Sequence, residues 1–385
     1  MKICEKCKTL AEDSVSICRE CGETLIPVEK FLKLPIEQRI KRSLVISRRL
    51  ASSAVSVIGV DANNNVLHRG FYKLELKCST AVAVYASLFS AGCITVTGRN
   101  SARSLDSCPE NSICNCIKSV SSDNSTVVFV DFNGNVIVRG DGESGEYEAA
   151  GWLNMDIAEL VSGGVVGVTK DGRGRVVGEI ASQYAEINNW TNLATIIEVP
   201  METHNGFVGL KKDGTLVSIG LPQVMSERLA RAKTIVCIAA MPGHLFILEE
   251  HGVLAGYDVN NAKMIYMVPK GVIAVKGLVS GLYVIHMDGT VTGVHSGYMD
   301  NPKVVIGLND LTDGCNITTN DLMKYPLAGR VSDWKLFNDP DEVLRQYEAF
   351  ETRSYIRQNK CAFCGGDFKG LFNKKCVACG RIKCY

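Results

Sequence analysis

Four Cys-x-x-Cys pairs are the residues of this chain best placed to do chemistry. Cys4 and Cys7 are followed by Cys18 and Cys21; Cys361 and Cys364 are followed by Cys376 and Cys379. A Cys-x-x-Cys pair on a tight turn directs two sulfurs at one point. Two such turns supply four thiolates at tetrahedral corners, which suits Zn²⁺ at sulfur distances of about 2.3 Å. The glycines after Cys21, Cys364 and Cys379 fit a backbone that bends sharply beside a metal. Iron takes the same four ligands, and spacing alone does not separate the two metals. A redox dithiol needs one pair beside a βαβ pattern, not two pairs in a short loop. Disulfides need an oxidising compartment, for which nothing in the sequence speaks. A filled Cys₄ shell leaves no position for water, so the expectation is two structural zinc ions and no metal catalysis.

Both segments resemble the zinc-ribbon family, over residues 1–27 and 360–385, with all four ligand positions filled in each. Eight of the 16 cysteines are used in this way. Cys384 reads as a spare thiol or a substitute ligand. Cys108, Cys114 and Cys116 cluster beside Pro109 and read as idle thiols, because a third site lacks a fourth ligand nearby in the sequence.

The elements between the ribbons repeat. A short apolar strand, an Asp/Asn-Gly turn, a second apolar strand and a closing glycine recur, as in Phe129–Gly140, Gly167–Gly178, Gly209–Gly220 and Val284–Gly293. Closing glycines fall at 70, 98, 140, 178, 220, 256, 293 and 329, the copies at 98 and 329 being weak. Both residues of an Asp-Gly turn tolerate positive φ, so each copy reads as a two-residue hairpin. A period near 40 with several short strands per unit is a propeller signature. Trp152-Leu-Asn154, Trp190-Thr-Asn192, Gly243-His244 and Gly98-Arg-Asn100 resemble the repeat of the regulator-of-chromosome-condensation propeller family. That resemblance spans residues 53–338 and implies an all-β propeller whose faces hold proteins. The spacing favours seven blades over eight. Trp334 stands in a Trp strand with no hairpin after it, while the first copy lacks such a strand. The last strand is therefore expected to complete the first blade and remove the open edge.

Five segments follow: ribbon 1–27, basic helical linker 28–52, propeller 53–338, helical linker 339–359 and ribbon 360–385. The fragment 53–338 is expected to fold on its own. Asp339-Pro340-Asp341-Glu342 is a strong helix start, and Val343, Tyr347, Phe350 and Ser354 follow at helical spacing. The first linker carries Lys30, Lys33, Arg39, Lys41, Arg42, Arg48 and Arg49, read as a solvated face.

Over 385 residues the formal charge is +1, and 46% of residues are hydrophobic. That balance excludes a chain-wide polyanion binder and wholesale disorder. Residues 77–99 hold no charge between Lys77 and Arg99, but their hydroxyls and alternation read as two strands, 81–85 and 93–97, not a membrane span. Gly140-Asp-Gly142-Glu-Ser-Gly145 satisfies a dinucleotide fingerprint without the helix it needs. Six scattered histidines form no catalytic motif; His204 and His244 read as inner-blade residues bonded to backbone. The expectation is a cytoplasmic, non-enzymatic protein-binding scaffold with no catalytic residues, no membrane contact and no evident small-molecule substrate. Its alternatives are a nucleic-acid-associated zinc-ribbon protein, using the 30–49 helix and the ribbons, and an exchange factor for a small GTPase by analogy of fold.

Overall fold

The computed structural model describes residues 2–3, 10–11, 17, 26–27, 34–52, 56–70, 81–86, 90–95, 100–104, 117–122, 126–140, 148–268, 270–278, 281–294, 334–362, 364–370 and 374–383. Among the described residues, seven antiparallel sheets form from consecutive strands within residues 50–294. Leu50–Ser52, Ser56–Val60 and Val66–Gly70 make the first; Ala81–Ala86, Ser90–Thr95 and Asn100–Ser104 the second. The third is Ile117–Ser122, Thr126–Asp131 and Val136–Gly140; the fourth Met155–Val161, Gly164–Thr169 and Gly174–Gly178. Leu193–Pro200, Asn205–Lys211 and Leu216–Ile219 follow, then Ile235–Met241, His244–Glu249 and Leu254–Asp258 with a fourth strand Met264–Val268. Val272–Leu278, Gly281–His286 and Val291–Val294 are the seventh. Middle strands such as Thr126–Asp131 and Gly164–Thr169 are buried at every residue, because both faces of each sheet are covered.

Adjacent sheets touch in sequence, and the seventh touches the first. This is the ring of small antiparallel sheets of a β-propeller. A recurring hydrogen bond marks the steps whose turns are described. The amides of Met155, Leu193, Ile235 and Val272 donate to the carbonyls of Gly134, Gly172, Gly214 and Gly252 in the turn of the preceding sheet, at 2.9, 2.8, 2.9 and 3.2 Å. Leu336 donates likewise to Gly289 in the turn of the seventh sheet, at 2.8 Å.

The segment at Trp334 therefore occupies the opening position of the first sheet. Ala62 N–H donates to the Lys335 carbonyl, as Lys170 donates to Asn154 and Lys212 to Asn192 in the fourth and fifth sheets. Trp334 lies over Gly59, where a Cβ would stand 2.7 Å from the indole. Trp152 covers Gly167 and Trp190 covers Gly209 in the same way. Leu50–Ser52 then continues the strand, pairing Leu50 with Gly59 and Ser52 with Val57. The opening strand of the first sheet is thus assembled from two ends of the chain.

Two details of the repeat differ from expectation. One residue of each described turn has positive φ, at +90° for Gly134, +82° for Gly172 and +80° for Gly214, and Asn64 takes that place in the first sheet at +64°. The amides of these three glycines donate back to Asp131, Thr169 and Lys211, so the loops are one residue longer than a two-residue hairpin. In the second sheet Ser104 pairs with Ser90, as Gly178 pairs with Gly164, so Ser104 rather than Gly98 holds the closing position. The uncharged stretch forms strands at 81–86 and 90–95, the second starting three residues earlier than expected. Among the described residues no helix is long and apolar enough to cross a membrane. The weak copy ending at Gly329 and the glycine run 140–145 beyond Gly140 lie outside the described residues.

Three α-helices occur among the described residues: α1 Ile36–Ser47, α2 Gln223–Arg231 and α3 Pro340–Arg357. Asp339 caps α3 through the Asp341 amide at 2.9 Å, and Val343, Tyr347, Phe350 and Ser354 are all buried. α1 and α3 pack against each other, and neither behaves as a linker. Ile40 of α1 lies in the core of the fifth and sixth sheets; Val45 and Ile46 share a cluster with Tyr347, Phe350 and Trp334. Ser43 Oγ donates to the Ile273 carbonyl at 2.7 Å, and Phe350 stacks edge-on against Phe132, ring centres 4.9 Å apart. The basic residues of α1 are not a solvated face. Arg39 pairs with Glu250, Lys41 with Glu351 at 2.8 Å and Arg42 with Asp341 at 2.6 Å; Arg48 donates to Tyr347 at 3.1 Å. Lys118 of the third sheet meets Asp156 of the fourth and Glu351 of α3. Burial works against its ammonium, yet the two carboxylates hold its pKa well above the ordinary value.

Candidate metal centre

α3 delivers the chain into the C-terminal ribbon. Lys360 N–H donates to the Tyr355 carbonyl at 2.9 Å, and the Tyr355 ring covers Gly365 so closely that a Cβ there would stand 2.6 Å from it. Two equivalent knuckles follow. Gly365 N–H donates to the Cys361 carbonyl at 2.8 Å and Gly380 N–H to the Cys376 carbonyl at 2.9 Å. Both glycines are left-handed, at φ +68° and +71°, which is why each Cys-x-x-Cys ends in glycine. Phe368–Lys369 pairs with Lys375–Cys376 and brings the knuckles together.

The four sulfurs of Cys361, Cys364, Cys376 and Cys379 lie within 4.8 Å of one another. Cys361 Sγ is 3.7 Å from Cys379 Sγ, and Cys364 Sγ is 3.4 Å from Cys376 Sγ. Tetrahedral zinc with about 2.3 Å bonds needs sulfurs about 3.8 Å apart, so the donor set fits that ion. A Cβ at Gly366 would stand 2.8 Å from Cys376 Sγ, so this residue has to be glycine for the cradle to close. Burial opposes a Cys376 thiolate, but the Cys379 and Ala378 amides and the Cys364 thiol hydrogen-bond to it, lowering its pKa to about 7. Among the described residues this is the one His/Cys/Asp/Glu group of three or more that could hold a metal. A closed four-thiolate shell stabilises its two turns and offers no coordination to a substrate.

The other expected ligands, Cys4, Cys7, Cys18 and Cys21, lie outside the described residues, as do Cys108, Cys114, Cys116 and Cys384. Between and beside those N-terminal cysteines in the sequence, Lys2–Ile3 pairs with both Leu10–Ala11 and Ile26–Pro27 in a small antiparallel sheet. Cys237 is buried in the core, its thiol pushed up to about 11 by desolvation. His204 is exposed rather than inner, although its Nε2 meets the Gly220 carbonyl at 3.1 Å as expected of a backbone-bonded histidine. His244 is half-buried at the start of its strand. Sequence reasoning missed Gly366 and Tyr355 as parts of the site; the Gly365-Gly366 doublet was the available signal.

Zinc content gives a direct check. Cys361→Ser with Cys364→Ser should remove one equivalent of zinc per chain by elemental analysis. Acid should release that equivalent from the unaltered protein, because protons compete with the metal for thiolates. Unchanged zinc in the double variant, or iron in its place, would contradict the assignment.

No protein-family model matches the chain, and no curated protein matches it. Solved structures with similar folds include Prp20p of Saccharomyces cerevisiae, 14% identical over 67% of this chain and 73% of that one, with a TM-score of 0.35. Sqt1 of the same yeast is 11% identical over 64% of this chain and 82% of its own, with a TM-score of 0.40. PorZ of Porphyromonas gingivalis is 10% identical over 62% of this chain and 35% of its own, also at 0.40. Prp20p and Sqt1 are β-propeller proteins. The propeller assignment rests on the ring of sheets itself.

Proposed function

We propose that the chain is a non-enzymatic, cytoplasmic protein-binding scaffold: a seven-bladed propeller resembling the regulator-of-chromosome-condensation family, with two structural zinc ribbons. The observation that carries this reading is the seat of the C-terminal ribbon. It continues directly from α3, whose buried face is part of the propeller core, so disc and metal module are presented together. Rigid loops around a closed ring are well suited to holding a partner. Seven described sheets in successive contact, with Leu336 bonded to Gly289 as Met155, Leu193, Ile235 and Val272 are bonded to the turns before them, support the blade number. The domain limits we propose are a ring of residues 36–357 and ribbons 1–27 and 360–385. Cysteine ligands at both ends favour a reducing compartment.

The nucleic-acid alternative loses its main support, since Arg39, Lys41 and Arg42 are paired with acids of this chain. Exchange activity on a small GTPase rests on analogy of fold alone. Cross-linking and affinity purification of the zinc-loaded full chain should recover a protein partner in fixed ratio. Recovery of nucleic acid in place of protein, or of no partner, would overturn the scaffold reading.

A further inference from the structure

The outer face of the C-terminal ribbon carries two lysines, Lys369 and Lys375, that no acid among the described residues answers. Lys369 pairs across the strand with Lys375, and Lys375 forms a bridge with Ile382 on its other side. Directly paired residues point to the same face of a sheet, so Lys369, Lys375 and Ile382 form one row. Cys376 and Phe368, one residue along, point to the metal side. Lys369 and Lys375 are exposed, and Ile382 is 54% exposed. Val377, whose amide donates to the Asp367 carbonyl at 2.9 Å, is 57% exposed beside them.

Like charges directly opposite on a sheet are destabilising, and here they are set side by side beside exposed aliphatic carbon. Neither Lys369 nor Lys375 makes an ion pair among the described residues. The one acid between Lys360 and Tyr385 is Asp367, and it faces Lys360 at 3.8 Å. Five basic residues, Lys369, Lys374, Lys375, Arg381 and Lys383, leave the ribbon positive even after a zinc–thiolate centre contributes −2. A surface of this composition calls for a partner offering carboxylates and apolar side chains together. Phosphates would answer the lysines and leave Ile382 and Val377 in water. Among the described residues of the ribbon the one aromatic ring, Phe368, is half-buried, with Lys383 Nζ 5.6 Å from its centre, and offers little free face for stacking on bases.

We propose that the Lys369–Lys375–Ile382 row docks an extended segment of a partner protein rich in acidic and aliphatic residues. This rests on the scaffold reading above and names the chemistry of the partner. The test is fluorescence anisotropy with the zinc-loaded full chain and three labelled probes of equal charge: a peptide of Glu, Asp and Leu, an oligo-glutamate, and single-stranded DNA. The mixed peptide should bind tightest. Lys369→Glu with Lys375→Glu, and separately Ile382→Ser, should each weaken it roughly tenfold or more, with zinc content unchanged. If charge reversal costs the metal, Lys369→Gln with Lys375→Gln serves in its place. DNA or oligo-glutamate binding as tightly as the mixed peptide would overturn the proposal. So would unaltered peptide affinity in the zinc-retaining variants. Should the peptide fail while cross-linking still recovers a protein partner, this surface is wrong and the scaffold reading stands; loss of both removes the scaffold as well.

Discussion

The fragment 53–338 should not fold. The sequence alone marks it as a self-sufficient disc, but it discards Leu50–Ser52, which supplies part of the opening strand of the first sheet. It also discards Ile40, Val45, Ile46, Tyr347 and Phe350, all buried in the two largest core clusters. Removing one large apolar side chain from a core costs about 2–5 kcal/mol, and a domain of ordinary stability holds about 5–15 kcal/mol in total. Five such losses, together with an exposed sheet edge and a buried Lys118 that keeps Asp156 but loses Glu351, exceed that total. Near-ultraviolet circular dichroism and denaturant titration should show no cooperative transition for 53–338, whereas 34–359 should unfold cooperatively. A sharp two-state transition in the shorter fragment would mean that α1 and α3 are accessories.

Trp334→Ala should lower the melting temperature by about 5–15 °C, the equivalent of roughly 3–5 kcal/mol of lost indole burial. Trp334 is 4% exposed and sits where the seventh sheet meets the first, a junction that also depends on the Leu336–Gly289 and Ala62–Lys335 hydrogen bonds. Gly59 provides the matching concavity, so Gly59→Leu should be damaging for the opposite reason, overfilling the space the indole takes. Differential scanning calorimetry of both variants measures the seam from its two sides. A Trp334→Ala protein that melts within a degree or so of the parent would place closure elsewhere.

Much of this architecture can be read from local signals. The Asp-Gly turns announce their hairpins, Asp339-Pro340 announces α3, and the ligand spacing of Cys361–Cys379 announces a tetrahedral site whose sulfurs do converge. Trp334 stands out because its strand has no hairpin of its own. What escaped was non-local. The cations of α1 look solvated in sequence because their partners Glu250, Asp341 and Glu351 lie some 200 to 300 residues away. The linkers look like linkers because amphipathicity shows that a face is buried but not against what. The Trp signature fades in the sixth sheet, where Ile247 stands at the register of Gly209 and Ala232 stands where the fifth sheet has Trp190. The closing glycine of the second sheet escaped because Ser104 does the same pairing without being glycine.

The composite opening strand also sets an order of events during synthesis. Leu50–Ser52 leaves the ribosome early, but Trp334, Lys335 and Leu336, which complete its strand, are made 284 residues after Leu50. At about 5–20 residues per second, the nascent chain spends roughly 15–60 s with its first sheet incomplete and unpaired at the seam. During that interval six further sheets stack in order, each burying its flank against the one before, while the first keeps a free flank exposed. The newborn chain is therefore a natural client for holdase chaperones. Ribosome stalling or a premature stop anywhere before codon 334 would release an open arc with two sticky ends, prone to annealing with another such arc instead of closing on itself.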